Sequence, residues 1–437
     1  MKHGVAALLV LSSLLVLGTL IAGCTSTPGT AGTGQTPQMT ASLSGNASAT
    51  AASEAGIITA NNRFARDLYV QLASDPQYAG SNIFFSPFSI SSAFAIAYEG
   101  ARGTTADQIH SVFHFPADNA TLREGFSEVN AGINNGDMNY TLSTANALWV
   151  RKNYQLLPDY VSTAGRWYSA NVANLDFGGK PEESRQIINT WVANRTNDKI
   201  SDLLPPRSID TTTFLVITNA VYFKGTWVKQ FDANDTQDAN FWVSPGKAVT
   251  VKMMQQTDKD AVYPYAETSD LQMLSMPYAH GTGSSLSMIV ILPKNGNIAT
   301  AEAALDPRNL SVLEQSASSK RVMVYFPKFK LKVNYELSST LNAMGMPTAF
   351  EHNADFSGID GTVGLFISKV FHNAFVNVDE QGTEAAAATA VVFSKSAIAP
   401  EEPVPVFRAD HPFLFLIQDN DTGAILFAGR IVTPNGT

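Results

Sequence analysis

The chain has 437 residues, a formal net charge of −9 at pH 7, 45% hydrophobic residues and one cysteine. Lysines and arginines are scattered rather than clustered, which speaks against a nucleic-acid or polyanion partner. A single cysteine excludes an intramolecular disulfide framework, a CxxC redox pair and a thiol-rich zinc site, so a large core has to stabilise the fold.

Residues 1–23 carry a short basic start (Lys2, His3), an apolar run from Val5 to Ile21, and then Ile21-Ala-Gly-Cys24. This pattern reads as a signal peptide with a lipobox-like ending, in which Cys24 becomes a lipid-modified first residue. An uncleaved N-terminal anchor is the alternative. Both predict export and attachment to the outer face of the cell membrane through the N-terminus alone. Residues 24–54, rich in Thr, Ser, Gly, Ala and Pro, are expected to form a disordered tether. No second composition break divides residues 55–437, which read as one domain.

Helical spacing from Ile57 to Ala73 places Phe64, Leu68 and Leu72 on one face. A short apolar strand follows at Asn82–Phe85, and Ser86-Pro87 opens a second helix, with Ser86 accepting a free backbone N–H and Pro87 suiting the first turn. Leu142–Val150 reads as a strand. Ile187–Ile200 reads as an amphipathic helix with Ile187, Trp191 and Val192 on its apolar side. Phe214–Trp227 is a near-continuous apolar run, as expected of a strand buried on both faces. Further strands are expected at Val251–Met254, Leu274–Tyr278, Ser287–Pro293 and Val322–Phe329, then at Phe366–Glu380. Phe407–Gln418 and Ala424–Val432 are expected to form a closing hairpin.

Asp379–Phe393 supports two readings. Its alanines and glutamates favour a helix. As a strand it places Thr383, Ala385, Ala387, Thr389, Val391 and Phe393 on one face, with side chains small enough at the leading end to slip between existing strands. Chemistry is scarce elsewhere. No Gly-x-Ser-x-Gly nucleophile elbow occurs, which argues against a serine hydrolase. His110 and His114 stand four apart but lack a third ligand, so they read as surface or partly buried histidines. His372, inside an apolar strand, reads as a core histidine.

Glu380-Gln-Gly-Thr-Glu-Ala-Ala-Ala-Ala-Thr389 resembles the proximal hinge of inhibitory serpins: Glu380, Gly382, Thr383, Glu384, Ala385, Ala386, Ala387, Ala388 and Thr389. The resemblance extends in order from about Ala55 to Pro434. Ser86, Ser89, Asn219 and His372 match the family's shutter, and Trp227 and Lys328 its breach. It implies an α+β serpin fold, a mixed three-sheet core with about eight or nine helices and an exposed reactive-centre loop. It implies that His372 bonds Asn219 and that Lys328 pairs with Glu380.

The resemblance also implies function: no enzyme activity and no cofactor, but suicide inhibition of a serine, or alternatively cysteine, peptidase. The complex would be covalent and one-to-one, formed by a monomeric inhibitor. A serpin-fold protein that does not inhibit, acting as a surface binding lipoprotein, is the alternative, and the intact hinge argues against it. Pro116–Glu124, where some serpins carry a basic heparin-binding helix, has little positive charge, so no heparin-like cofactor is expected. Counting as the family does, the seventeenth residue from Glu380 is Ser396, followed by Ala397. Cleavage there suits an elastase- or subtilisin-like pocket, whereas cleavage after Lys395 suits a trypsin-like one.

Overall fold

A computed structural model describes residues 43–133, 137–383 and 403–435 of the chain, with side chains from residue 51 onward. Cys24, Glu384, Ala385, Ala386, Ala387, Ala388, Thr389, Lys395, Ser396 and Ala397 lie outside the described residues. The first half comprises α1 (Leu43–Ser74), β1 (Ile83–Phe85), α2 (Pro87–Gly100), α3 (Gly103–Phe113), α4 (Asn119–Ile133), β2 (Tyr140–Arg151), α5 (Pro158–Tyr168), β3 (Asn171–Leu175), α6 (Pro181–Arg195) and β4 (Leu215–Thr226). It continues with β5 (Gln237–Ser244), β6 (Lys247–Gln256), β7 (Val262–Glu267), β8 (Leu271–Pro277), β9 (Leu286–Pro293), α7 (Ile298–Glu302) and α8 (Pro307–Gln315). Last come β10 (Ser318–Arg321), β11 (Met323–Pro327), β12 (Phe329–Glu336), α9 (Ser338–Ala343), α10 (Ser357–Asp360), β13 (Ile367–Asp379), β14 (Gly382–Thr383), β15 (Val406–Arg408), β16 (Phe413–Asp419) and β17 (Ile425–Ile431).

The strands make three sheets: a six-stranded one ordered β12-β13-β14-β4-β2-β3, a seven-stranded one ordered β1-β17-β16-β9-β8-β7-β10, and a four-stranded one ordered β15-β11-β6-β5. This is the expected mixed α+β architecture. The six-stranded sheet is buried on both faces along its centre, which is why β4 shows no hydrophobic alternation. Leu215, Ile217, Val221 and Phe223 join the main core with α2 and the seven-stranded sheet. Val216 and Ala220 face the other way, into a smaller cluster with Ile188 and Val192 of α6. Helix α2 is buried nearly all round, its three serines and Glu99 included.

Several elements differ from the sequence expectation: α6 spans Pro181–Arg195 rather than Ile187–Ile200, and Val322–Phe329 divides between β11 of the four-stranded sheet and β12 of the six-stranded one. Helix α1 begins at Leu43, so residues 43–54 are helical rather than tether, as their alanine content permits. Ser53 is buried and approaches α4 closely: a Cβ on Gly125 would lie 2.6 Å from the Ser53 carbonyl oxygen. On α6 the apolar face is turned by one residue. Ile187 is exposed while Ile188 and Val192 are fully buried, because Trp191 packs edge-on against Trp149 at the margin instead of centring the face. Phe407 belongs not to the closing hairpin but to β15, which pairs in parallel with β11 of the four-stranded sheet.

Candidate functional site

The six-stranded sheet has a seam between β13 and β4. Below, these strands pair directly and in parallel, from Ile367↔Leu215 to Phe375↔Tyr222. Above, β14 lies between them, antiparallel to both: Gly382 and Thr383 face Asp379 and Val378 on one side and Thr226 and Gly225 on the other. The sheet is therefore open at its top by a two-residue wedge and closed beneath it.

Gly382 suits the wedge point, with φ 152° and space so tight that a Cβ would lie 2.0 Å from the Gly225 carbonyl oxygen. Thr383 is fully buried, its Oγ1 2.8 Å from the Tyr278 hydroxyl. Tyr278 in turn stacks on Trp227, with ring centroids 4.4 Å apart. Trp227 Nε1 donates to the Asp379 carbonyl (3.1 Å) and its backbone N–H donates to the Gln381 carbonyl (2.9 Å), fixing the turn between β13 and β14.

Glu380 lies in that turn. Lys328 Nζ donates to its Oε2 at 2.7 Å and the Thr236 hydroxyl to its Oε1 at 2.8 Å. Burial works against the charge of Glu380, but the Lys328 bond, its own backbone N–H and Thr236 outweigh burial and hold its pKa below the ordinary carboxylate value. With Lys328 partly exposed, the pair contributes no more than about 1 kcal/mol.

Lower down, at the level where His372 faces Asn219 across the closed seam, a buried polar chain connects the sheet to α2. The Ser86 backbone N–H donates to His372 Nε2 (3.2 Å). An N–H cannot accept, so His372 carries its proton on Nδ1 and donates it to Asn219 Oδ1 at 2.5 Å. Asn219 Nδ2 then donates to Asn146 Oδ1 (2.5 Å) and to the Ser89 hydroxyl. Ser86 Oγ caps α2 by accepting from the Ser89 N–H (3.2 Å) and donates to the Leu426 carbonyl (2.7 Å) of β17.

Full burial lowers the His372 pKa to about 3, since protonation would place a second N–H against the Ser86 N–H in a dry core. The unfolded chain binds that proton near its ordinary pKa of about 6.5, so the stabilisation is whole above that pH and is lost as pH falls toward 3. The expected slope is at most about 1.4 kcal/mol per pH unit across this window. Chemical denaturation at stepped pH checks it: a His372→Leu variant, although less stable, should have a shallower slope, and an unchanged slope would remove the assignment.

The sequence-predicted residues therefore fall into two assemblies joined by the seam: Trp227, Lys328, Glu380, Gly382 and Thr383 above, Ser86, Ser89, Asn219 and His372 below. His110 and His114 stand apart from both, and His114 Nε2 bonds Asp67 at 2.8 Å. Sequence reasoning missed Tyr278, Thr236 and Asn146. Asn146 left a signal, a lone amide inside the otherwise apolar Ala145–Val150. Tyr278 and Thr236 left none, because each owes its role to a distant segment.

Comparison with known proteins agrees with this geometry. A family model described as Serpin (serine protease inhibitor) matches residues 59–434. An uncharacterized serpin-like protein of Methanosarcina acetivorans is 42% identical over 384 residues, covering 87% of this chain and 89% of its own. The leukocyte elastase inhibitor of Homo sapiens is 40% identical over 391 residues, covering 86% of this chain and 99% of its own. Among solved structures, Serpin48 of the insect Tenebrio molitor, described as a highly specific serpin, superposes with a TM-score of 0.76 at 31% identity over 87% of this chain and 98% of its own. On this shared sheet architecture and sequence, the chain belongs to the serpin family.

Proposed function

We propose that the chain is an exported, single-use inhibitor of a serine-type endopeptidase, held at the outer face of the cell membrane through Cys24. The observation that carries this reading is the wedge: Gly382 and Thr383 already occupy two rungs between β13 and β4, at the top of a seam that is closed below them. The peptidase serine attacks the carbonyl of Ser396, or of Lys395, forming the acyl-enzyme and releasing a new amino terminus on the following residue. Freed at that end, the segment after Thr383 continues down the seam.

Extending the register of β14 predicts the inserted arrangement. Glu384 comes beside Lys224, Ala385 beside Phe223, Ala387 beside Val221, and Thr389 between Asn219 and His372. Alanines are required where the face is already filled by core side chains. The Thr389 hydroxyl arrives where the His372–Asn219 bond has to open, since a new strand moves its neighbours from about 4.8 Å to nearly 10 Å apart. At about 1 kcal/mol per new ladder bond, plus burial, insertion releases on the order of 10 kcal/mol. It carries the acyl-linked peptidase on the order of 50 Å, distorting its active site before water reaches the ester.

The test is to incubate the chain from Thr25 onward with subtilisin, elastase, chymotrypsin and trypsin. A complex surviving denaturing electrophoresis is expected, with a released C-terminal peptide whose mass distinguishes cleavage after Ser396 from cleavage after Lys395. Cleavage without a complex, and without a gain in thermal stability, would refute the reading.

A further inference from the structure

A cleft of about 890 Å³ lies between the β10 edge and the segment that follows the bait region. One wall is Pro403, Val404, Pro405 and Val406; the other carries Lys320 and Arg321, with Tyr265 and Gln272 between. The apolar wall is pinned in place, since Gln272 Nε2 donates to the Val406 carbonyl (2.9 Å) and the Met323 N–H to the Pro405 carbonyl (2.9 Å). Tyr265, Glu267, Gln272 and Lys320 come from three neighbouring strands, β7, β8 and β10, so the cleft lies across that end of the seven-stranded sheet.

The charges are unbalanced. Among the described residues Lys320 has no carboxylate within ion-pair distance, and Arg321 donates only to the Asp258 and Thr257 carbonyls, at 3.3 and 3.2 Å. Among the described residues the one carboxylate lining the cleft, Glu267, is already bound by Lys294 at 3.0 Å and by the Tyr265 hydroxyl at 2.9 Å. A cationic cleft on a chain of net charge −9 stands against the general field of the molecule. Its place matters as well. Pro403 is six residues beyond Ala397, within roughly 20 Å along an extended chain. A peptidase of ordinary size, roughly 40 Å across, covers that distance when seated on the bait bond.

We propose that this cleft docks an acidic surface segment of the target peptidase, and so selects among peptidases that share one primary specificity. This inference rests on the inhibitory reading above and adds the partner's surface chemistry. The cleft accelerates encounter and orients it, without taking part in acylation or insertion.

Native subtilisin and subtilisin succinylated on its lysines test it, the second having an acidic surface and the same catalytic centre. Rates of covalent complex formation are measured with the wild-type chain and with Lys320→Glu/Arg321→Glu, at low salt and at high salt. The expected result is faster trapping of the succinylated form, by on the order of tenfold at low salt, lost in the double variant and in high salt. Stoichiometry of inhibition should stay constant throughout. Complexes that form at equal rates with both enzymes, or a preference that persists in the double variant, would overturn the docking site while leaving the inhibitor intact. Absence of any complex would fell both proposals together.

Discussion

Thr383→Arg is expected to convert the protein from an inhibitor into a substrate. Thr383 is fully buried beneath Tyr278 at the first inward position of the seam. Insertion past that point would require either an arginine charge in a dry site or displacement of the Trp227–Tyr278 stack. Either costs about 3 kcal/mol or more, which slows insertion roughly a hundredfold. Deacylation then wins, and the peptidase is released active. Band intensities after denaturing electrophoresis measure the partition directly, with Thr383→Ser, which keeps the hydroxyl, as the conservative control. Wild-type complex yield from the arginine variant would show that the leading hinge residues need not be seated in the sheet.

Asn219→Ala is expected to produce the largest loss of stability among the shutter residues. The change removes the acceptor of the His372 Nδ1–H and the donor to Asn146 and Ser89, all in a fully buried site. The stranded imidazole N–H and the cavity together cost about 3–5 kcal/mol, a fall of roughly 4–6 °C in Tm for a domain of this size. The same bond crosses the closed seam, so its loss should also speed inactivation of the uncleaved protein on standing. Removing the Ser89 hydroxyl should cost only about 1 kcal/mol, since Asn146 and Asn219 remain bonded to each other. A Tm change below about 2 °C for Asn219→Ala would mean that the polar chain is not what closes the seam.

Local rules made much of the fold legible. Phe64, Leu68 and Leu72 declare the face of α1, Ser86-Pro87 declares the start of α2, and the unbroken apolar run of β4 declares burial on two sides. The errors have a common cause. Ile187 and Ile188 are equally apolar, and only the contact of Trp191 with a strand some forty residues earlier decides which turns inward. Residues 43–54 look like a tether because their side chains are small, yet small side chains are what allow α1 to lie against Gly125. Phe407 reads as the start of a hairpin strand because nothing local reveals that β15 leaves for another sheet. At the site, residues that match a contiguous motif were found and those contributed singly by distant strands, Tyr278 and Thr236, were not.

On the proposed insertion mechanism, the direct pairing of β13 with β4 below the wedge makes the protein's working life a matter of time rather than of balance. The ladder between Ile367 and Phe375 has to part before anything can enter, and parting it leaves backbone groups unpaired until the newcomer arrives. That requirement is an activation barrier, and barriers of this kind yield steeply to heat, with rates rising several-fold for each 10 °C. Storage temperature, more than concentration or buffer, should therefore set how long a preparation remains able to act, and an old sample can be fully folded yet spent.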